Sequence, residues 1–136
     1  MTEFTSDIQK IPYESDRVFA SLSDLNNIEK IKDSLPLDKI KNLTYDTDSC
    51  SFQIENIGSV SLRIIEREQG KTIKFASEKS PVQFNLWIQL VSVASDDTRL
   101  KLTLKADIPF LFKSMVSKPL GDGIKKVAEV LAALPY

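Results

Sequence analysis

Few side chains in this chain of 136 residues are of types that do chemistry, and their spacing narrows what they can do. There is no histidine, so the commonest general acid/base and the commonest transition-metal ligand are both missing. The single cysteine, Cys50, has no internal disulfide partner and no histidine to take its proton. It reads as a small buried apolar residue. Glu66 follows Val60, Leu62 and Ile64 at strand parity, which turns it inward. There it would orient a ligand, or act as acid or base if burial raised its pKa; the plainer reading is a solvated glutamate at a strand end. Tyr45 also shares parity with inward residues, whereas Arg63 and Arg67 alternate outward. Trp87 falls with Asn85 and Gln89 on the wet side of its strand. It is a contact site for a protein partner, a residue turned inward by a bulge, or a ring covered by long polar neighbours. Gly58 and Gly70 stand alone at turns, and Asp96-Asp97 is a turn signal, so neither a phosphate loop nor a metal cluster is present. The pattern calls for no metal and no cofactor.

The bulk composition bounds the rest. With 42% apolar and 27% charged residues and a net charge of −1, the chain has the make-up of an ordinary folded domain, and 1–136 is read as a single one. A basic footprint for nucleic acid is absent, so none is expected as a partner. No apolar run approaches the ~20 residues of a membrane-spanning helix, and MTEFTSDIQKIPYESD lacks the basic end and apolar segment of a secretory signal. Membrane insertion is therefore not expected, and the location read from the sequence is cytoplasmic.

Periodicity supplies the elements that position these residues. Thr2–Ile11 alternates, with Phe4, Ser6 and Ile8 on one face, and reads as one strand ended by Pro12. Two short helices follow, the first capped by Ser15 and carrying Val18, Phe19 and Leu22. The second starts at Ser23-Asp24 and carries Leu25, Ile28 and Ile31, with Pro36 closing the pair. From Leu37 to Ile108 the pattern is strands and turns. Leu43 and Tyr45 form a weak alternation; Cys50, Phe52 and Ile54, then Val60, Leu62 and Ile64, form clear ones. Asn56-Ile57-Gly58 and Gln69-Gly70 are turn signals. Ile73 and Phe75, then Phe84, Leu86, Ile88 and Leu90, then Leu100, Leu102, Leu104 and Ala106, continue the apolar face. Such alternation predicts an antiparallel sheet with one wet face. The chain ends in a long helix whose apolar stripe is Leu120, Ile124, Val127, Leu131 and Leu134.

The inventory suggests a hollow. About seven strands at ~4.8 Å spacing make a sheet roughly 33 Å wide, whereas a helix is ~10–12 Å across. One long helix cannot cover that sheet unless the sheet curls around it. A curled sheet leaves interior volume, for large side chains or for a ligand.

This order of elements resembles the START-like, helix-grip (SRPBCC) superfamily. That group includes the plant pathogenesis-related pollen allergens, lipid-transfer START domains, aromatase/cyclase proteins and bacterial polyketide cyclase/dehydrase and lipid-transport proteins. The likeness lies in IPYESDRVFASLSDLNNIEK, with Pro12, Val18, Phe19, Leu22, Ser23 and Asp24, and in DTRLKLTLKADIPFLFKSMVSKPLGDGIKKVAEVLAAL. It implies an α+β fold, a curved antiparallel sheet of about seven strands around a long C-terminal helix, with two short helices between strands 1 and 2. It also implies an apolar cavity between sheet and helix. A small hydrophobic or amphipathic molecule is the expected partner. A cyclase/hydratase-type enzyme or a chaperone-activator-like interaction module are the alternatives.

If the cavity exists, its lining candidates are Tyr45, Phe52, Ile64, Glu66, Phe75, Phe84, Leu86, Ile88, Leu102 and Leu104 from the strands. Phe112, Met115 and Leu120 would add to it from the helix, with Phe112 and Met115 as flexible fillers. Pro119, Gly121 and Gly123 interrupt the helical pattern, so a bend or break is expected near Met115–Gly123. That bend either fits the helix to the curved sheet or makes Phe110–Gly123 a roof and gate.

Overall fold

A computed structural model describes residues 2–34, 40–54 and 58–136, the side chain of Ser34 excepted. Pro36, Asn56 and Ile57, read above as a helix stop and a turn, lie outside the described residues. The elements run β1 (Thr2–Thr5), β2 (Gln9–Ile11), α1 (Ser15–Leu22), α2 (Ile28–Ile31), β3 (Ile40–Tyr45), β4 (Ser49–Ile54), β5 (Gly58–Glu68), β6 (Thr72–Lys79), β7 (Phe84–Ala94), β8 (Asp97–Ala106) and α3 (Lys113–Ala132). Short 3-10 turns precede α2, at Leu25–Asn27, and α3, at Phe110–Phe112.

These eight strands join one antiparallel sheet in the order β1-β8-β7-β6-β5-β4-β3, with β2 also on β8. The alternation reads β1 and β2 as one strand. They are two because Ser6 breaks the ladder. Its backbone N–H donates to the Leu102 carbonyl, and its hydroxyl accepts from the Leu102 N–H, each at 2.9 Å. One extra residue beyond it re-phases the alternation. Ile11, not Ile8, then reaches the core, and Ile8 is left exposed.

Hairpin geometry follows its turn residues. Gly70 joins β5 to β6 with φ of 71°, and a Cβ there would lie 2.8 Å from an Asp16 carboxylate oxygen. The positive φ favours glycine at that point, whereas the exposed Asp16 side chain could swing aside. Glu14, rather than Ser15, stands at the α1 N-cap, without a side-chain bond. Asp24 does cap the next turn, accepting from the Asn26 N–H at 3.0 Å.

The core is divided. Ile11, Val18, Ile73 and Leu100 are fully buried, and with Phe19, Leu90 and Leu102 they make a dense end where α1 lies on β7. The principal sheet contacts of α3 are with β8, β1 and β2. It therefore sits to one side of the concave face, and β4 to β6 look at it across a gap.

Of the bend or break expected near Met115–Gly123, the break is not there. The helix runs unbroken for 20 residues with Pro119 inside it. Pro119 offers no N–H to the Met115 carbonyl, but Met115 lies on the solvent side, where water can serve that oxygen. Gly121 has Phe4 at an ordinary 3.8 Å from where a Cβ would be, and Gly123 faces open space. Neither position is forced to be glycine by a close neighbour.

Candidate functional site

The gap is a cavity of about 390 Å³, open on one side, bounded by the inner faces of β3 to β8, by α2 and by α3. Each wall is made by strand alternation or by the helical stripe. Phe52, Phe75, Phe84, Leu86 and Leu104 reach it from the strands, and Leu120 reaches it from α3. Ser80, Pro81 and Val82, from the loop between β6 and β7, stand at its edge. Among the described residues that line it, none is charged, and Cys50 and Ser80 are the ones with anything but hydrocarbon in the side chain.

The remaining sequence candidates lie elsewhere. Ile64 and Leu102 are buried in the dense end rather than on the cavity wall, and Ile88 is buried but borders a separate recess beside Leu22 and Leu131. Tyr45 packs partly buried against the core, opposite Cys50, without lining the cavity. Phe112 and Met115 are not fillers: they are 52% and 68% exposed.

Glu66 is the sharpest departure. The register of β5 on β6 shifts between Ile64 and Glu66, so Ile65 is an extra residue and every side chain beyond it changes face. Glu66 is exposed, opposite Lys74. Arg67, read as outward and solvated, is exposed as expected but falls on the face of its partner Ile73 rather than the outer one. Its guanidinium donates to the Ser23 carbonyl at 2.9 Å and to the Asp48 carboxylate at 2.6 Å, tying β5 to the end of α1. A single bulge thus exchanges a presumed cavity carboxylate for a structural arginine.

Trp87 keeps its regular register, between Lys74 on β6 and Thr103 on β8. The ammonium groups of Lys74 and Lys105 lie 5.2 and 5.6 Å from its ring centroid. Cover by long polar neighbours therefore accounts for the half-buried ring, with cation–π attraction adding to the contact.

Cys50 is 8% exposed, and its thiol is pushed up to about 11, first by burial and then by the negative charge of Asp46. It stays protonated at neutral pH. Proton transfer inside the cavity therefore has no ionised donor or acceptor among the described lining residues.

Sequence reasoning missed several walls. Val116 and Ile108 complete the roof, and Leu25, Ile28 and Ile31 close one end. Val116 was within reach, since it precedes Leu120 by four residues and extends the same stripe. A second recess of about 460 Å³ lies on the far side of Leu25, Ile28, Ile31 and Leu131. It is more polar, with Asp24, Asn27, Lys30 and Tyr136 on its wall. No described helix is long and apolar enough to cross a membrane.

No family model matches the chain, and no curated protein matches it in sequence. Solved structures do share its architecture. A START superfamily protein from Mycobacterium smegmatis superposes with a TM-score of 0.69 at 15% identity, over 96% of this chain and 94% of that one. Norcoclaurine synthase from Thalictrum flavum, in complex with dopamine and hydroxybenzaldehyde, gives a TM-score of 0.69 at 12% identity, over 96% and 84%. A protein from Thermus thermophilus gives 0.65 at 15% identity, over 96% and 94%. The chain has the START-like helix-grip fold, as its element order implied.

Proposed function

We propose that the protein reversibly binds a small hydrophobic or amphipathic molecule in the cavity between the sheet and α3. One observation carries the reading: a cavity of about 390 Å³ whose described wall is hydrocarbon apart from Cys50 and Ser80. Apolar burial drives entry, at ~25 cal/mol per Å² before ordering costs. Ser80 at the edge is the one hydroxyl on that described wall available to orient a polar end of the guest. That a protein of this fold is seen with dopamine and hydroxybenzaldehyde supports a guest of modest size. A cyclase or hydratase would need an acid and a base on the wall. Glu66 is outside it and Cys50 is held neutral, so binding is favoured over catalysis.

The roof supplies the route. Pro119 removes the helical hydrogen bond to the Met115 carbonyl, beside the lining residues Val116 and Leu120, and so lowers the cost of opening 110–123 as a gate. Native mass spectrometry of freshly purified protein, followed by organic extraction, tests the binding reading. A co-purifying lipid or aromatic molecule is the expected result. Protein that emerges empty, and stays empty when offered a panel of fatty acids and aromatics, would overturn it.

A further inference from the structure

Among the described residues eight large apolar side chains are exposed, and four of them, Phe110, Leu111, Phe112 and Met115, fall within six consecutive residues. Phe110 and Leu111 are 85% and 81% exposed, more than any other of the eight. A scattered exposed leucine needs no explanation, but an apolar ridge of this density on a fold element does. Its place is specific. Ile108 just before it and Val116 just after it line the cavity, so the ridge stands at the cavity rim. On α3, Met115 and Val116 are neighbours three and four residues beyond Phe112, so the ridge and the roof share one turn of helix.

The charges around it are mostly positive, with the exposed Asp107 as the acid nearest Phe110. From Pro109 to Leu120 the chain carries Lys113 and Lys118 and no acid. Both lysines are exposed, as is Lys79, which ends β6 beside the rim loop. The nearest acids in sequence are Asp107 and Asp122, and Glu78 is paired with Arg63 at 2.7 Å. Aromatic and aliphatic tips among lysines match the boundary of an anionic bilayer, where apolar groups enter the acyl edge and ammonium groups meet headgroups. A partner protein would meet the same apolar tips, but the surrounding lysines select an anionic surface.

We propose that the Phe110–Met115 ridge seats the mouth of the cavity on a lipid surface carrying anionic headgroups. Nothing spans the bilayer in this arrangement; the protein rests on it. Docking itself does not require a guest. Its use, passing an apolar molecule between bilayer and cavity without exposing it to water, rests on the binding function proposed above.

The test is cosedimentation of the full chain with vesicles of phosphatidylcholine alone and of phosphatidylcholine with phosphatidylglycerol. The unaltered protein should partition onto the anionic vesicles, less so as salt rises. The variant Phe110→Ser/Leu111→Ser/Met115→Ser should lose about tenfold or more of that partition. Lys113→Gln and Lys118→Gln should each cost roughly fivefold on anionic vesicles and little on neutral ones. Circular dichroism and the thermal midpoint check folding, and Phe110→Ser alone serves if the triple variant is compromised. Absence of partition by the unaltered protein, or equal partition by the ridge variants, would overturn the proposal. So would a concentration-dependent dimer, seen by sedimentation velocity, that Phe110→Ser dissolves, since it would assign the ridge to a second copy. Native mass spectrometry of the ridge variant keeps the two readings apart: a retained guest with lost vesicle binding separates the surface from the cavity.

Discussion

Ala106→Leu decides whether the cavity is a void or a packing detail. Ala106 is buried at 4% exposure on β8, lies opposite Phe84, and faces the cavity. The change adds three carbons. In a filled core that overpacking costs about 1–3 kcal/mol. Into open apolar space, the same carbons gain about 0.8 kcal/mol each on burial, or about 2.4 kcal/mol together. Leucine loses about 0.5–1 kcal/mol of rotamer freedom, leaving a net stabilisation of about 1.5 kcal/mol. For a chain of this length that corresponds to a rise of roughly 5 °C in Tm. Urea denaturation followed by circular dichroism reads the free energy, and an apolar fluorescent probe titrated into both proteins reads the cavity. The variant should be more stable and should bind the probe more weakly. A destabilised variant with unchanged probe binding would refute the hollow, because the sign of the effect follows from whether atoms already occupy that space.

Glu66→Gln should leave stability within about 0.5 kcal/mol and guest binding unchanged, since the residue is exposed. Arg67→Ala should cost about 1 kcal/mol, discounted for a partly exposed pair, because it removes the bonds to Ser23 and Asp48; equal urea midpoints for the two variants would place the bulge wrongly. The Asp46 carboxyl is held below its usual range by the N–H groups of Asp48 and Ser49 and by the Ser49 hydroxyl. A folded-state pKa lowered in this way gives stability that is present above the unfolded value, near 3.8, and lost as pH falls through the folded one. Urea midpoints between pH 7 and pH 3 should therefore fall less for Asp46→Asn than for the unaltered protein. Pro119→Ala restores a helical hydrogen bond and should raise stability by about 1–2 kcal/mol. It should also slow guest exchange, and an unchanged exchange rate would dispose of the gate.

The architecture was legible because period-2 alternation and a 3.6-period stripe are local signals. Phe84, Leu86, Ile88 and Leu90 share a face in the sequence, and their buried or half-buried positions on the inner side of β7 follow. What parity cannot reveal is a change of phase. Counting in twos places both Ile8 and Glu66 inward, and each lies beyond a residue that interrupts its ladder. Nor does a strand's apolar face say which end of the sheet a helix fills. Ile64 and Leu102 have the same local pattern as Phe75 and Leu104, yet they are packed into the dense end and the gap opens beside the others. The side-chain pattern tells inside from outside; the lateral position of α3 over β1, β2 and β8 tells solid from hollow, and that depends on contacts far apart in sequence.

The hollow end has an energetic consequence. At ~24 cal/mol for each Å³ of enclosed void, 390 Å³ left empty would cost at most about 9 kcal/mol relative to a packed interior, and less because the cavity is open on one side. That is of the order of the whole net stability of a domain, ~5–15 kcal/mol. Water is a poor filler here. A buried water makes about three hydrogen bonds, and the described wall offers side-chain polarity only at Cys50 and Ser80. An enclosed apolar cavity of about 150 Å³ stays dry and takes up benzene, so a wall of this chemistry suits an apolar guest better than ordered water. The dense end, where Ile11, Val18, Ile73 and Leu100 are sealed from solvent, supplies the stability that lets the other end remain open. An apolar guest recovers part of the lost contact energy, so the protein should melt higher when loaded, by an amount that grows with guest concentration. If the proposed binding holds, division of the core into a packed part and a hollow part would couple the stability of this fold to its guest.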